Sequence, residues 1–241
     1  MQRFSQAVRA GEEALETARA IGWRAGEAFA GFAVCLRAAA TGDYTGATAA
    51  ARDALALAEQ IGHRQWLCAG NWAMGYVLYE LFDLQPARRH FEDALALAQA
   101  NHSQLWIEFS VSMLVRVLVA QGEPEQAGVV LQVCYHARER PQSLGQRMVW
   151  RAAAEHALAL GEAERALDVV EQLLAYTLEE EAFEPEMPFG LHVLRGHALA
   201  ALGRTAEAQA LLQAARKTAD QYYASSSRWR VHAELARRLE K

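Results

Sequence analysis

The chain has 241 residues, of which 52% are hydrophobic and 22% charged, and its formal net charge is −5 at pH 7. The hydrophobic fraction is enough for a packed core, which excludes a disordered chain, and the mild acidity excludes direct nucleic-acid binding, which needs a basic surface. No apolar run reaches the roughly 18–20 residues of a membrane span, and the first residues are too acidic for a signal peptide, so we expect a cytoplasmic protein without membrane contact.

Helical repeats of about 40 residues organise the chain. Residues 51–66 align without a gap on residues 91–106 and share with them the string DALALA and a final Trp, and residues 13–24 repeat part of this pattern upstream. Alanine, the best helix former, fills about 50 positions and proline only 5, so the repeats should be helical. A period of about 20–50 residues with helical patterning indicates a solenoid.

In chain order, we expect one domain made of a half repeat, five full repeats and a closing helix. The half repeat covers residues 1–22 and the closing helix residues 225–241. The full repeats cover about 23–62, 63–102, 103–141, 142–185 and 186–224. The half units at both ends are either polar caps or a sign that the chain is a piece of a longer protein. We favour the second interpretation, because the first helix lacks a polar second face.

Each repeat divides into two helices. In the second full repeat, the pattern predicts helices over residues 66–81 and 86–99. The turn between them is short, so the two helices must be antiparallel neighbours. The pair Phe82-Asp83 fills the place that glycine takes in the other repeats. These glycines are Gly42, Gly122, Gly161 and Gly203.

Small residues recur where the two helices of a repeat should cross. In the second repeat they are Gly75, Ala87 and Ala94, and the bulky Phe91 lies between the two alanines. Small side chains let two helix backbones approach, and a large neighbour fills the adjoining hole. The pattern resembles the tetratricopeptide (TPR) repeat. The resemblance implies an all-α fold, an α-solenoid (right-handed superhelix) of TPR-like antiparallel helix hairpins, and a protein-binding function.

The repeats are longer than the usual TPR unit of about 34 residues. Such long repeats resemble, more loosely, the TPR region of large bacterial regulators. These are LuxR-type activators of the maltose-regulator kind and multidomain signalling ATPases. This second resemblance implies a role in bacterial signal transduction and transcription regulation.

No motif for catalysis, metal binding or phosphate binding is found, so we expect no enzyme activity, metal or cofactor. The chain lacks G-x-x-x-x-G-K-[ST], G-x-S-x-G and H-E-x-x-H. His192 and His197, the closest histidine pair, are too far apart to share one helix face. Cys35 and Cys134 take small-residue positions, so we interpret them as packing residues. The acidic run 179–186 predicts a solvated loop, with docking of a basic partner as the alternative.

The concave face of the array is the candidate binding site, because in solenoids of the TPR kind the first helix of each repeat lines it. The family register gives this groove an aromatic end and a polar end. The aromatic end consists of Phe32, Trp72, Tyr76 and Tyr79, and the polar end of Arg116, Arg151, Glu155 and His197. Aromatic residues and arginine are favoured in binding hot spots. The alternative is that the aromatic side chains pack against neighbouring repeats, as we expect for the recurring Trp66, Trp106 and Trp229.

The sequence therefore predicts a protein-interaction module, the sensor or interaction region of a larger bacterial regulator. We expect a helix or apolar peptide segment in the aromatic half of the groove, with an acidic group facing Arg116 and Arg151. The chain has only two lysines and two asparagines, which argues against a chaperone-tail adaptor. Two alternatives stay open: the groove encloses a small-molecule inducer, or the chain is a self-associating scaffold that forms a homo-oligomer.

Overall fold

The computed structural model describes residues 2–137, 139–178 and 186–222. All regular elements in this part of the chain are α-helices. They are α1 (Gln2–Ala20), α2 (Arg24–Ala40), α3 (Tyr44–Gln60), α4 (Arg64–Glu80), α5 (Leu84–Ala100), α6 (Gln104–Ala120), α7 (Pro124–Leu131), α8 (Leu144–Ala159), α9 (Ala163–Leu178), α10 (Glu186–Ala201) and α11 (Thr205–Tyr222). The predicted closing helix with Trp229, and residues 179–185 of the acidic run, lie outside the described residues.

Helices α2 to α6 each have 17 residues, and turns of three residues join them, which makes each helix antiparallel to the next. After α2, the amide of Asp43 donates to the carbonyl of Ala38 (2.9 Å). The amide of Gly42 donates to the carbonyl of Ala39 (3.0 Å), which completes a Schellman motif. The Asp43 carboxylate then accepts from the amide of Gly46 (2.8 Å) and caps α3. Asp43 thus takes part in the end of α2 through its backbone amide and caps the start of α3 through its side chain.

The middle residue of these turns has a left-handed backbone, which favours glycine because glycine lacks a Cβ atom. Gly42 takes this conformation with φ of 83°, and in the second repeat Phe82 takes it with φ of 60°. The prediction that Phe82 lies in the place of the missing glycine is confirmed. Sequence reasoning missed that the turns between repeats have the same conformation. Their left-handed residues are Gly22, Gly62 and His102.

The helices of the second repeat begin two residues earlier than the pattern predicts. They start at Arg64 and Leu84, directly after the N-cap residues His63 and Asp83. The His63 ring accepts a hydrogen bond from the amide of Trp66 (3.3 Å). The prediction located each helix by the spacing of its apolar, packed residues. The first turn of each helix adds no residues to that apolar pattern, so the predicted helices begin too late.

The described residues form two compact units, whose boundary lies within α6, between Ser110 and Val111. In the first unit, consecutive helices from α1 to α5 pack together, and α2 also packs on α4. In the second unit, consecutive helices from α7 to α11 pack together, and α8 also packs on α10. Alternate helices therefore share a layer within each unit, as in stacked hairpins. The single domain expected from the sequence stays a prediction.

Small residues lie where helices cross within a hairpin. A Cβ atom on Gly75 would lie 2.9 Å from Cε1 of Phe91, so the ring leaves no room for a side chain. A Cβ atom on Gly196 would lie equally close, 2.9 Å, to the Leu212 side chain. Cys35, at the position equivalent to Gly75, is fully buried. The packing roles predicted for Gly75 and Cys35 are confirmed.

Helix α7 ends after only 8 residues, whereas the equivalent α3 and α5 have 17. Gly128 and the valines around it are poor helix formers, which accounts for the early end. The irregular segment that follows is anchored by Tyr135, whose ring contacts Trp150 edge-on (5.9 Å). Cys134 lies in this segment and is only half-buried, so its predicted helical packing position is wrong.

Candidate partner-binding surface

The charged side chains of α2 all point toward α1 and α3. The pairs are Arg19–Glu27 (2.7 Å), Arg37–Glu12 (2.8 Å) and Arg24–Gln60 (2.6 Å). At 3.6 residues per turn, the opposite side of α2 carries no charge and bears Phe29 and Phe32. Phe29 is 49% exposed and Phe32 is half-buried. Phe29 was missed in the sequence because its equivalent in the next repeat is an alanine, Ala69.

Helix α4 continues this uncharged side. It carries no charged residue between its end residues Arg64 and Glu80, and Glu80 is buried. Tyr76 and Tyr79 are three residues apart, share one side of the helix and are half-buried. We name Phe29, Phe32, Tyr76 and Tyr79 the aromatic face of the first unit.

Trp72 lies beneath the aromatic face. Its side chain is only 4% exposed, and its indole N–H donates to the carbonyl of Phe109 (3.0 Å). The Trp72 ring stacks parallel to Tyr76 (5.5 Å between centroids, 5° between planes) and lies 6.0 Å from Phe32. The expectation that Trp72 contacts a partner directly is therefore corrected, and for this residue the packing alternative holds.

Trp66 and Trp106, the two recurring tryptophans within the described residues, pack as expected. Trp106 is buried and contacts Phe32 edge-on (5.6 Å). Trp66 lies between Phe29 (5.0 Å) and the stacked ring of His63 (5.3 Å). The first repeat has Gly26 at the equivalent position, and there the Trp23 indole lies against the glycine. Each of these repeats thus keeps an indole at the start of its first helix.

In the second unit, the structure brings three of the predicted polar residues together. Glu155 accepts from Arg116 Nε through Oε2 (2.8 Å) and from Arg151 Nε through Oε1 (3.2 Å). The Arg116 side chain is only 10% exposed. The Arg151 guanidinium lies on α10, where a Cβ atom on Gly190 would be 2.9 Å from Cζ. His197 lies on α10 as well and is half-buried.

In this network two guanidinium groups, those of Arg116 and Arg151, share the carboxylate of Glu155. A guanidinium is a planar donor that matches a carboxylate, and it loses little of its charge character when partly buried. The arrangement ties α6, α8 and α10 together, and it also suits an acidic group of a partner.

The described residues contain no group of three or more His, Cys, Asp and Glu side chains arranged to hold a metal ion. Burial raises the pKa of the Cys35 and Cys68 thiols to about 12, so both stay protonated and unreactive at neutral pH. Burial and the nearby Arg195 lower the pKa of His192. Within the described ranges, no helix combines the length and apolarity of a membrane span.

No family model and no curated protein matches the chain. Solved structures do match. The crystal structure of BtubC (BKLC) from P. vanneervenii is similar over 92% of this chain and 94% of that chain, with 16% identity and a TM-score of 0.63. Two crystal structures of nearly identical TPR-like repeats, assigned to a kinesin light chain of Podospora anserina, have 18% identity and TM-scores of 0.54 and 0.53. They cover 79% and 80% of this chain and 94% and 95% of their own chains.

At these identities the similarity concerns the fold. The described chain is all-α, and its fold is an α-solenoid of TPR-like helix hairpins, as predicted. The looser resemblance to LuxR-type activators is not supported by these structures.

Proposed function

We propose that this chain is a protein-interaction module whose first unit binds an apolar helical segment of a partner protein on the aromatic face. The charge distribution of α2 carries the proposal, because its charged side chains all pair toward α1 or α3. The opposite side keeps Phe29 and Phe32 accessible, and α2 packs on α4, which carries Tyr76 and Tyr79. Solenoids bind partners over extended surfaces of stacked helices, which supports this function.

An amphipathic helix suits the aromatic face better than a charged peptide. A charged side chain docked there would lose its water without gaining a counter-charge from α2 or the middle of α4. A partner helix with apolar side chains at i, i+3, i+4 and i+7 presents one continuous apolar side, which can bury a large area against the rings of the aromatic face. Rigid aromatic rings also lose little conformational entropy on binding.

Photo-crosslinking from defined positions tests this proposal. Photoreactive benzoylphenylalanine at Phe29 or Tyr79 should capture the same partner protein in cells that express the chain. The same residue at Val129, an exposed position on α7, is the control and should not capture that partner. Adding Phe29→Glu to the Tyr79-labelled chain should abolish the capture. Equal capture at all three positions would contradict the proposal.

The second unit adds an acid-binding contact to the proposed function. Arg116 and Arg151 share Glu155, and the planar guanidinium of the partly exposed Arg151 matches the geometry of a carboxylate of the partner. His197 on the same layer of helices stays part of this predicted polar site. Arg151→Gln should weaken partner binding by roughly two- to fivefold and reduce its dependence on salt. Unchanged affinity in Arg151→Gln would remove this contact from the proposal.

The setting in a larger, cytoplasmic bacterial regulator is the finer part of the proposal and rests on the sequence resemblance. Sequencing the gene on both sides tests it, because a regulator would continue into an ATPase or a helix-turn-helix segment. The two alternatives have direct tests as well. A co-purified ligand in native mass spectrometry would favour the inducer sensor, and concentration-dependent light scattering would favour the self-associating scaffold.

A further inference from the structure

Gly190 of α10 lies where the guanidinium group of Arg151 meets that helix. A Cβ atom on Gly190 would be 2.9 Å from Cζ and Nη1 of Arg151 and 3.0 Å from Nη2. An approach to the Nη edge of the group would bring both nitrogen atoms well inside the distance of Cζ. The three nearly equal distances therefore mean that the flat face of the guanidinium rests on α10, at the place that a side chain on residue 190 would take.

This contact differs from those of the glycines at helix crossings. Glycine inside a helix is unfavourable compared with alanine, so its presence there needs a reason. At Gly75 the reason is the ring of Phe91, which is fully buried and leaves no room for a Cβ atom. At Gly190 the three nearest atoms all belong to the charged end of Arg151, whose side chain is 24% exposed. Gly190 thus makes room for a partly exposed cation rather than for a core side chain.

A second contact fixes the direction of Arg151 within the plane of its guanidinium. The Nε atom donates to Oε1 of Glu155 (3.2 Å), one turn further along α8, and α8 packs on α10. The contact with Gly190 sets the plane of the group, and the hydrogen bond sets its rotation within that plane. A guanidinium group donates its hydrogen bonds in its own plane, so the two contacts together determine where a bound carboxylate would lie.

We propose that Gly190 is the residue that positions Arg151 for a carboxylate of the partner, which rests on the acid-binding contact of the proposed function. An alanine at position 190 would occupy the place of the guanidinium. The end of Arg151 is flexible and would turn away, so the helices would keep their packing while the orientation of the cation is lost. Gly190 therefore determines the acid-binding contact without contacting the partner itself.

Thermal unfolding separates this positioning role from a packing role. Gly190→Ala should have a Tm equal to or above that of the parent, because alanine favours the helix and the flexible end of Arg151 gives way. Gly75→Ala is the control and should lower Tm, because the buried ring of Phe91 has no room to move. An equal loss of Tm in both variants would overturn the proposal, since Gly190 would then be a packing residue.

NMR of the whole 15N-labelled chain measures the position of Arg151 directly. Its Nε–H signal is assigned by its absence in Arg151→Gln. In Gly190→Ala this signal should shift, and the proton should exchange with water roughly fivefold faster, because the hydrogen bond to Glu155 is lost. Gly11→Ala is the control, because a Cβ atom there meets only Ala33 at 3.9 Å, and it should leave the signal unchanged. An unchanged signal in Gly190→Ala would overturn the proposal.

The acid-binding contact is measured on the same signal with acetate as the probe, exchanged against chloride at constant ionic strength. Acetate should shift the Arg151 signal of the parent, and Gly190→Ala should bind acetate roughly two- to fivefold more weakly. Equal acetate binding by the parent and Gly190→Ala would overturn the proposal. No response in the parent would instead overturn the acid-binding contact of the proposed function, and Gly190 would then orient Arg151 only toward Glu155.

Discussion

At the scale of single residues, burial separates the aromatic side chains into two roles. Trp72 is buried, and its indole N–H donates a hydrogen bond to the carbonyl of Phe109. Phe29, in contrast, keeps about half of its surface in contact with solvent. Both are large aromatic residues on first helices of repeats, and their types alone do not distinguish them. The difference comes from the neighbours that the stacked helices bring to each position.

Trp72→Ala tests this division. It should lower the free energy of unfolding by about 3–5 kcal/mol, because it leaves a cavity in the first unit and removes the hydrogen bond of the indole. Phe29→Ala is the control and should cost much less, because Phe29 is half exposed. Denaturant unfolding followed by far-UV circular dichroism measures both. Parent-like stability of Trp72→Ala would show that the indole lies at the surface.

His90 should make the first unit sensitive to acid. Its Nδ1 lies 2.9 Å from Oδ1 of Asn71, and because the Asn71 amide nitrogen donates to the Leu67 carbonyl, Oδ1 is the acceptor of this bond. Burial lowers the pKa of His90, and Asp93 opposes the shift in part. The unfolded chain therefore binds the proton more readily, and stability falls as the pH drops through about 6.5 toward the lower pKa of the folded state.

Replacing His90 measures this contribution. His90→Gln keeps a donor for Asn71 and removes the titration, so its Tm should fall less than that of the parent between about pH 7.5 and pH 5. His136→Gln, at an exposed position, should keep the pH dependence of the parent. The same pH dependence in His90→Gln and the parent would rule out His90 as the cause.

At the scale of helices, the three-residue turn determines how the chain is divided. Its Schellman motif ends one helix, and in two of these turns the last residue, Asp43 or His63, caps the next, so helices of 17 residues follow each other with almost no connecting chain. Helix α7 departs from this order because Gly128 and its neighbouring valines disfavour a helix. The helices are thus bounded by local chemistry that each turn carries in itself.

Asp43→Ala tests the capping function of the turn. The Asp43 carboxylate accepts from the amide of Gly46 (2.8 Å), and its loss should cost about 1 kcal/mol of stability. Asp83 is the matched control, because it lies at the N-cap of α5 and its side chain makes no capping hydrogen bond. Asp83→Ala should therefore cost less. Chemical denaturation of both variants gives the comparison, and a larger loss for Asp83→Ala would refute the assignment.

At the scale of the molecule, each compact unit stabilises its layer of alternate helices differently. The first unit uses aromatic contacts around Trp72, and the second uses the Glu155 carboxylate shared by Arg116 and Arg151. A carboxylate shared by side chains of different helices holds those helices in register. If the carboxylate is removed, the partly buried guanidinium groups lose a counter-charge, which is destabilising. The stability of the first unit should therefore depend on the aromatic residues around Trp72, and that of the second unit on the charge of Glu155.

Glu155→Gln should destabilise the second unit by about 2–4 kcal/mol, because the poorly exposed Arg116 loses the negative charge that lies 2.8 Å from its Nε. The control is Glu207→Gln, which removes an exposed partner of Arg204 and should leave the unfolding transition unchanged. Thermal unfolding followed by circular dichroism measures both variants. Equal transitions for Glu155→Gln and the parent would mean that solvent screens this network.

Spacing and residue type determined the features that depend on the chain's own neighbours. The 40-residue period, the paired helices, the left-handed turn at Phe82 and the crossing at Gly75 all follow from local patterns that each repeat carries. Such patterns state which side of a helix packs, because apolar and small residues recur at helical spacing.

Only the tertiary structure decided how deeply each residue is buried and which charges pair. The burial of Trp72, the direction of the charged side chains of α2 and the shared carboxylate of Glu155 depend on atoms from other helices. The 40-residue period aligns equivalent positions of the repeats, but it does not state which side chains of neighbouring helices surround a given residue. Burial and pairing are sums over those neighbours, so they appear only once the helices are stacked.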